Sequence, residues 1–309
     1  MPLKSSFYIH SEGHWDYLAV APQSKELYVS HGTQVNILNK ITGDSIGVIP
    51  GTIGVHGIAF VPALGKGFIS NGKLNNVFVF NLKTHKILDS IKTGENPDAI
   101  FYEPFSEKII TCNGRSKDAS VIDPKTEKVV ATIPLCGKPE TAVSDGKGLM
   151  FVNIEDKNEV VVVNMKTMKL EKHYPLNGAE EPTGLAINPK AETLFVGCGN
   201  KKLVVMRTSG EIIQTLPIGD HCDGTAFDNR VAYASCGDGT LAQILLSPKT
   251  GLYSVKNYRT KAGARTITID PETHNIYVPT AEFIPLKDGE KGRAKMIPGS
   301  FQILVFGAK

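Results

Sequence analysis

A segment of six residues recurs seven times along this chain of 309 residues, and each copy is a short apolar run closed by a turn. The copies read YLAVAP, GIAFVP, AIFYEP, TAVSDG, GLAINP, GTAFDN and TITIDP, and they end at positions 22, 62, 104, 146, 189, 229 and 271. A period near 42 residues is typical of the four-stranded blade of a β-propeller. The repeat therefore predicts an all-β fold, a seven-bladed β-propeller with four-stranded antiparallel blades.

Each repeat divides into four short strands separated by turn residues. In the second copy the strands are expected at 57–60, 67–70, 77–80 and 87–91, because β-branched and aromatic residues alternate there between Gly, Pro and Asn. The apolar run 160–163 suits a strand that is covered on both faces by neighbouring blades. No sustained helical period occurs, so very little helix is expected.

The two ends of the chain together complete one blade. The seventh copy offers strands at 266–269, 276–278 and 301–306, and then the chain ends. We expect residues 6–10 to pair with 301–306 as the missing fourth strand, since this pairing removes two exposed sheet edges. No linker or shift in composition interrupts the repeats, which predicts one domain over 1–309 with a long loop inserted at 281–300.

The repeat units resemble a known family at the ends of their second and third strands. These motifs are LYVSHG at 27–32, GFISNG at 67–72 and VIDPKT at 121–126, with NLKT at 81–84 and NMKT at 164–167. They are similar to the YVTN β-propeller repeats of YncE-like and surface-layer-type proteins. The resemblance implies a bacterial or archaeal protein, frequently exported, with any ligand at the mouth of the central channel. It transfers no catalytic residue, because no catalytic motif matches.

Charge, hydropathy and cysteine content exclude several classes of protein. The chain has 34 basic and 31 acidic side chains, a balance that does not by itself indicate a polyanionic partner. Its apolar runs are too short to span a membrane, so no membrane insertion is expected. The five cysteines are scattered without a Cys-x-x-Cys motif, and no disulfide is expected. The N-terminal MPLKSS lacks the apolar region of a signal peptide, which indicates a cytoplasmic protein, or a periplasmic or secreted one if an export signal was removed.

Polar and charged side chains occur at equivalent positions of the repeats. Just ahead of the innermost strand of each repeat lie Asp16, His56, Asp98, Glu140, Thr183, Asp223 and Arg265. The residues that follow the second strand face the same end of the channel and include His31, Asn71 and Asn113. Carboxylates and imidazoles that converge from several blades resemble a divalent-metal or acid–base site. We call this end of the channel the funnel.

We expect the funnel residues to have catalytic, metal-binding or ligand-binding roles. His56, Glu140 and Arg265 are the candidate catalytic residues, with His56 or Glu140 as general base. The candidate metal ligands are His31, His56, Asp98 and Asp223, for a divalent ion of unknown identity and with no other cofactor. The candidate ligand-binding residues are Trp15, Asp16, Asp98, Asp223, Asn71 and Asn113. Two alternatives stay open: the polar residues line a water-filled channel, and Trp15 packs between blades.

Three classes of function compete. The first is a propeller, expected to be monomeric, that binds a small ligand at the funnel, with or without a divalent metal. The second is a metal-assisted hydrolase of lactonase or lyase type that uses the same funnel. The third, binding of single-stranded nucleic acid, is least favoured because the carboxylates repel phosphates. The 281–300 loop, with Glu282, Lys287, Asp288, Glu290, Lys291, Arg293 and Lys295, is a candidate lid over the funnel.

Overall fold

The computed structural model of the chain describes residues 1–284 and 295–307. Its first strand is β1 (Leu3–Tyr8), and the next 24 strands form six antiparallel sheets of four strands, which we call blades 1 to 6. Blade 1 contains β2 (Trp15–Val20), β3 (Glu26–His31), β4 (Gln34–Asn39) and β5 (Ser45–Pro50). Blade 2 contains β6 (Val55–Val61), β7 (Lys66–Asn71), β8 (Asn76–Asn81) and β9 (Ile87–Lys92). Blade 3 contains β10 (Pro97–Glu103), β11 (Lys108–Asn113), β12 (Asp118–Asp123) and β13 (Lys128–Pro134).

The remaining blades repeat this order. Blade 4 contains β14 (Pro139–Ser144), β15 (Leu149–Ile154), β16 (Glu159–Asn164) and β17 (Lys169–Pro175). Blade 5 contains β18 (Pro182–Asn188), β19 (Thr193–Cys198), β20 (Lys202–Arg207) and β21 (Ile212–Pro217). Blade 6 contains β22 (Cys222–Asp228), β23 (Val231–Cys236), β24 (Thr240–Leu246) and β25 (Tyr253–Arg259). Blade 7 contains β26 (Thr268–Ile269), β27 (Asn275–Thr280) and, after the small hairpin β28 (Phe283–Ile284) and β29 (Lys295–Met296), β30 (Gln302–Gly307).

The blades close into a ring, which confirms the predicted seven-bladed, all-β propeller. Each innermost strand contacts the innermost strands of both neighbours, from β2 through β6, β10, β14, β18, β22 and β26 back to β2. Two single turns of 3-10 helix, Pro62–Leu64 and Glu155–Lys157, are the only helical elements in the described part of the chain. No helix there is long and apolar enough to cross a membrane.

The N-terminal strand completes the last blade, as the strand count predicts. β1 pairs antiparallel with β30, from Leu3 opposite Phe306 to Tyr8 opposite Gln302. The strand therefore begins three residues earlier than the predicted 6–10. Phe7 packs into a core cluster that also holds Tyr277 of blade 7. The closure thus combines pairing of two edge strands with burial of apolar surface, and both hold the N-terminal and C-terminal strands together.

The core lies between adjacent blades because the middle strands are apolar on both faces. The run at 160–163 shows this arrangement, since all four valines are buried. Val161 and Val163 pack in a cluster with blade 3, whereas Val160 and Val162 pack in a cluster with blade 5. This alternation confirms the prediction for this strand and follows from the two-residue period of β structure.

The expected lid can be described only at its base. β28 pairs with β29, and Phe283 lies opposite Met296. The charged residues between them that motivated the lid, Lys287, Asp288, Glu290, Lys291 and Arg293, lie outside the described residues. The five cysteines are all free thiols, with Cys136 exposed and the other four buried.

Candidate functional site

Six of the seven innermost strands carry a break in their pairing register at the same place. The register shifts between Trp15 and Leu18, Val55 and Ile58, Pro97 and Ile100, Pro139 and Ala142, Pro182 and Gly184, and Cys222 and Gly224. Within these breaks lie Asp16, His56, Asp98, Glu140, Thr183 and Asp223. The sequence placed these residues just ahead of the strands, but each is the second residue of its strand. A β-bulge re-aims a side chain, and the repeated bulge directs one residue of each of these six blades towards the funnel.

Buried hydroxyl groups on the second strands support the bulged backbone. The Ser30 hydroxyl donates to the Tyr17 carbonyl at 2.8 Å and accepts from the Asp16 N–H at 3.1 Å. The Ser70 hydroxyl accepts from the Gly57 N–H at 2.8 Å and donates to the Asp98 carbonyl of the next blade at 2.5 Å. These bonds satisfy backbone groups that the bulge leaves without ladder partners, so the site is built on a rigid support.

Asp16, His56 and Asp98, from three adjacent blades, form one polar group in the funnel. His56 Nδ1 lies 2.5 Å from Asp16 Oδ2 and 3.6 Å from Asp98 Oδ1. In the part of the chain that the structure describes, this is the one group of three or more His, Cys, Asp or Glu residues whose ligand atoms all lie within 4.8 Å of one another. One imidazole nitrogen with two carboxylate oxygens is a donor set that suits a borderline divalent ion such as zinc and, through the carboxylates, a harder ion such as manganese.

The protonation of this group follows from its charges. Burial lowers the pKa of His56, but the hydrogen bond to Asp16 and the charge of Asp98 outweigh burial and raise the pKa to about 9. Burial raises the pKa of Asp98 to about 6, with the charge of Asp16 adding to the rise and that of His56 opposing it. At neutral pH His56 is therefore a cation that bridges two carboxylates. This argues against the expected role of His56 as general base.

Two further carboxyl groups of the funnel are paired with cations. Glu140 Oε1 accepts from Lys138 Nζ at 2.7 Å, and Asp223 Oδ2 accepts from Arg265 Nη1 at 2.8 Å. Burial and the charge of Asp98 raise the pKa of Glu140 to about 8. Burial also raises the pKa of Asp223 to about 7, although Arg265 opposes the rise. Asp223 thus pairs with Arg265 and is absent from the Asp16–His56–Asp98 group, where it was expected as a metal ligand.

The sequence interpretation missed Tyr17 and Lys138. The Tyr17 hydroxyl lies 3.4 Å from Thr141 Oγ1, so this side chain joins blade 1 to blade 4. Burial and the charges of Asp98, Asp16, Glu140 and Asp223 raise the pKa of Tyr17 well above its usual value. Lys138 also contacts Glu155, which brings a fifth carboxylate to this end of the channel. Nothing in the sequence of its strand distinguishes Tyr17 from its neighbours. Its contact across the channel identifies it, and only the structure shows that contact.

The expected metal ligand His31 is a structural histidine. It is fully buried, its Nδ1 bonds the Ser11 hydroxyl at 2.8 Å, and its Nε2 bonds the Gly13 carbonyl at 2.9 Å. Its ring stacks on Phe301 at a centroid distance of 4.1 Å. Burial lowers the pKa of His31 to about 4. Both ring nitrogens are thus occupied, and neither is available to a metal.

The expected ligand-binding residues Trp15, Asn71 and Asn113 are also buried. Trp15 stacks on Phe301 at 5.1 Å, which fits the packing alternative. Asn71 Nδ2 donates to Asn76 Oδ1 at 3.0 Å, and Asn113 Nδ2 donates to Asp118 Oδ1 at 2.6 Å. The two asparagines hold the turns after their strands, so the expectation that they contact a ligand does not fit their positions.

Comparison with known proteins supports the fold and assigns no chemistry to the site. No family model and no curated protein matches the chain. Among solved structures, the chain is similar to hydrazine synthase of Kuenenia stuttgartiensis, with a TM-score of 0.75 and 14% sequence identity. The match covers 87% of this chain and 94% of that one. At this identity the likeness shows a shared β-propeller fold and no more.

Proposed function

We propose that this propeller binds a divalent cation in the funnel, at Asp16, His56 and Asp98, and that the cation anchors a small ligand. The observation that carries the proposal is the convergence of two carboxylates on His56 Nδ1. Ionisation of the nearby carboxyl groups of Glu140 and Asp223 above their raised pKa values adds negative potential that favours a cation. Burial raises the pKa values of Asp98, Glu140 and Asp223, and repulsion by a neighbouring carboxylate adds to each rise. A bound cation would relieve this repulsion.

The geometry predicts how binding depends on protons. At neutral pH the protonated His56 donates a charge-assisted hydrogen bond from Nδ1 to Asp16 Oδ2 at 2.5 Å, because its pKa is raised to about 9. A metal must displace this proton, because a ligating imidazole is neutral at the ligating nitrogen. Binding should therefore release about one proton per ion near pH 7 and should strengthen as the pH rises towards the pKa of His56, about 9.

Calorimetric titration with Zn²⁺ and with Mn²⁺ at pH 7 and pH 8 tests the proposal. We expect one ion per chain, tighter binding at pH 8, and at least tenfold weaker binding in Asp98→Asn. Asp89→Asn, which removes an exposed carboxylate from an outer strand of blade 2, is the matched control and should bind like the parent. Absence of binding at pH 8, or equal affinity of Asp98→Asn and the parent, would contradict the proposal.

A second candidate, hydrolysis of a lactone, is favoured by the separate protonation ranges of two funnel carboxyl groups. Asp98, with a pKa of about 6, is ionised at neutral pH, whereas Glu140, with a pKa of about 8, is largely protonated. Such a pair offers a base and an acid in one site. Hydrolysis of dihydrocoumarin, followed by absorbance with Mn²⁺ or Zn²⁺ present, should then peak between pH 6 and 8 and fall at least a hundredfold in Glu140→Gln. No activity above that of Glu140→Gln would remove this candidate.

We also propose that the chain belongs with the YVTN-repeat, YncE-like propellers. The proposal is supported by the motifs at 27–32 and 67–72, which lie on the second strands of blades 1 and 2, and by the motif at 121–126, which ends the third strand of blade 3. Superposition of these three blades on blades of an experimentally solved YVTN propeller should align the motifs residue for residue. A systematic register offset would contradict the assignment.

A further inference from the structure

A cavity opens between blades 5 and 6, on the face of the propeller opposite the funnel. It measures about 780 Å³ and is lined by residues of the turn after β18, the turn after β22 and the turn after β24. These turns join first to second strands and third to fourth strands, so they belong to the end of the ring away from the bulged residues. The size lies within the range of small-molecule sites in proteins, about 300–1,000 Å³.

The walls of this cavity are aromatic and ordered. Phe195 and Phe227 stack at a centroid distance of 5.7 Å with 12° between their planes, and Tyr253 meets Phe195 edge-on at 5.7 Å. The Gln214 side chain holds Tyr253 from the neighbouring blade, because it donates to the Tyr253 carbonyl at 3.0 Å and accepts from the Tyr253 N–H at 2.9 Å. Phe227 and Tyr253 remain half-exposed, so their rings are available to a planar ligand.

The charged side chains that line the cavity are both basic. Lys190 and Arg230 are exposed, and within the described residues neither forms an ion pair. No carboxylate is among the described residues that line the cavity. The acidic residue nearest to Arg230 in the chain, Asp228, bonds His274 at 2.7 Å and is thereby engaged elsewhere. The cavity thus combines an aromatic wall with two cations that have no protein counter-ion.

The backbone at Arg230 is in a conformation that its side chain does not favour. Asn229 and Arg230 form the two-residue turn between β22 and β23, with φ of 44° and 73°. Turns of this kind require positive φ at both residues and favour Asn followed by Gly. Arg at the second place is therefore less favourable than Gly. A glycine would relieve the turn and would remove the cation from the cavity.

We propose that this cavity is a binding site for a planar aromatic anion, an aryl carboxylate or sulfonate. Its ring packs against Phe227 and Tyr253, and its charged group pairs with Arg230 and Lys190. The site is separate from the funnel and does not depend on a metal.

Titration of the full-length protein with 2-naphthalenesulfonate by calorimetry tests the proposal, with neutral 2-naphthol as the comparison compound. We expect one saturable site for the sulfonate and at least tenfold weaker binding of the naphthol. Phe227→Leu, which keeps an apolar side chain, should weaken binding of the sulfonate. Asp98→Asn in the funnel should leave it unchanged, which separates this site from the proposed cation site.

The variant that discriminates best is Arg230→Gly. It should raise the melting temperature and yet bind the sulfonate at least tenfold more weakly, a combination that a purely structural residue would not produce. Arg230→Asn, which also tolerates positive φ, is a second variant with the same expected loss of affinity. Lys83→Ala removes an exposed cation from a turn of blade 2 on the same face and should have no effect. Absence of saturable binding, equal affinity of the Arg230 variants and the parent, or equally tight binding of 2-naphthol would overturn the proposal.

Discussion

Replacement of Asp223 by Asn tests whether the ionised carboxylate of Asp223 destabilises the folded protein. Asp223 is 23% exposed, and its carboxylate accepts a hydrogen bond from Arg265, which is 45% exposed. Burial raises the pKa of Asp223 from 3.8 to about 7, despite the opposing charge of Arg265. Asn keeps the size of the side chain and removes the charge, so the variant isolates the free energy of ionisation.

The magnitude follows from the pKa difference between the folded and unfolded states. The difference from 3.8 to about 7 is three pKa units, which at about 1.4 kcal/mol per unit corresponds to an upper limit of about 4 kcal/mol. This difference already contains the opposing charge of Arg265, and the partial exposure of Asp223 reduces the free energy further through solvent screening. Because the folded-state pKa is raised, the favourable contribution of Asp223 is complete below pH 3.8 and is lost as the pH rises through 7. The variant should therefore be more stable than the parent at pH 8, by about 1–3 kcal/mol, and the gain should shrink at pH 5.

Urea unfolding of the parent and of Asp223→Asn at pH 5 and pH 8, without added metal, measures this difference. The free energies of unfolding should diverge more at pH 8, with unchanged dependence on urea concentration. Asp89→Asn, at an exposed position, should show a small difference that does not change with pH. A variant that is less stable than the parent at pH 8 would refute the reasoning, because Asp223 would then stabilise the fold as an ionised partner of Arg265.

Three further predictions concern the ring and its buried groups. Deletion of residues 1–8 should lower the melting temperature by ten degrees or more, because β30 loses its partner; an unchanged calorimetric transition would count against closure by β1. A thiol reagent should modify only Cys136 in the native protein and all five cysteines after denaturation; fast native labelling of a second thiol would contradict the burial pattern. His31 should stay neutral down to a pKa of about 4, so its contribution to stability is present above pH 6.5 and is lost as the pH falls through 4; an NMR titration midpoint near 6.5 would show that the ring is solvated.

Much of the fold can be predicted from sequence because a propeller blade is built from local pairings. Within blades 1 to 6 each strand pairs with the next strand of its own blade, so turn residues and a period near 42 reveal the blades without knowledge of distant contacts. In blade 7, β27 pairs with β30 across the inserted hairpin, and the pairing of β1 with β30 follows from counting three strands in the last repeat. The errors are small shifts of strand ends, such as residues 3–8 in place of the predicted 6–10.

The candidate site is less predictable, because equivalent places in the repeat do not ensure equivalent surroundings. His31 and His56 both face the funnel end by their place in the repeat. His31 closes a second strand and is enclosed by Ser11, Gly13 and Phe301, whereas His56 lies in a bulge and meets Asp16. The sequence contains no signal that distinguishes these two environments, since the enclosing residues come from an irregular segment and from the far end of the chain.

The sequence by itself determines the number of blades, their strand order, the closure and the position in each repeat that points into the channel. These properties depend on hydrogen bonds and apolar alternation between strands that are close in the chain. Both appear in the sequence as regularly spaced turn residues and apolar residues. The tertiary structure alone decides that His56 joins Asp16 and Asp98, that Asp223 pairs with Arg265, and that Tyr17 reaches Thr141. The physical reason is that these contacts link different blades, and their distances depend on the curvature of the ring and on the backbone bulges. A contact that depends on the geometry of the whole ring leaves no periodic trace in the order of residues.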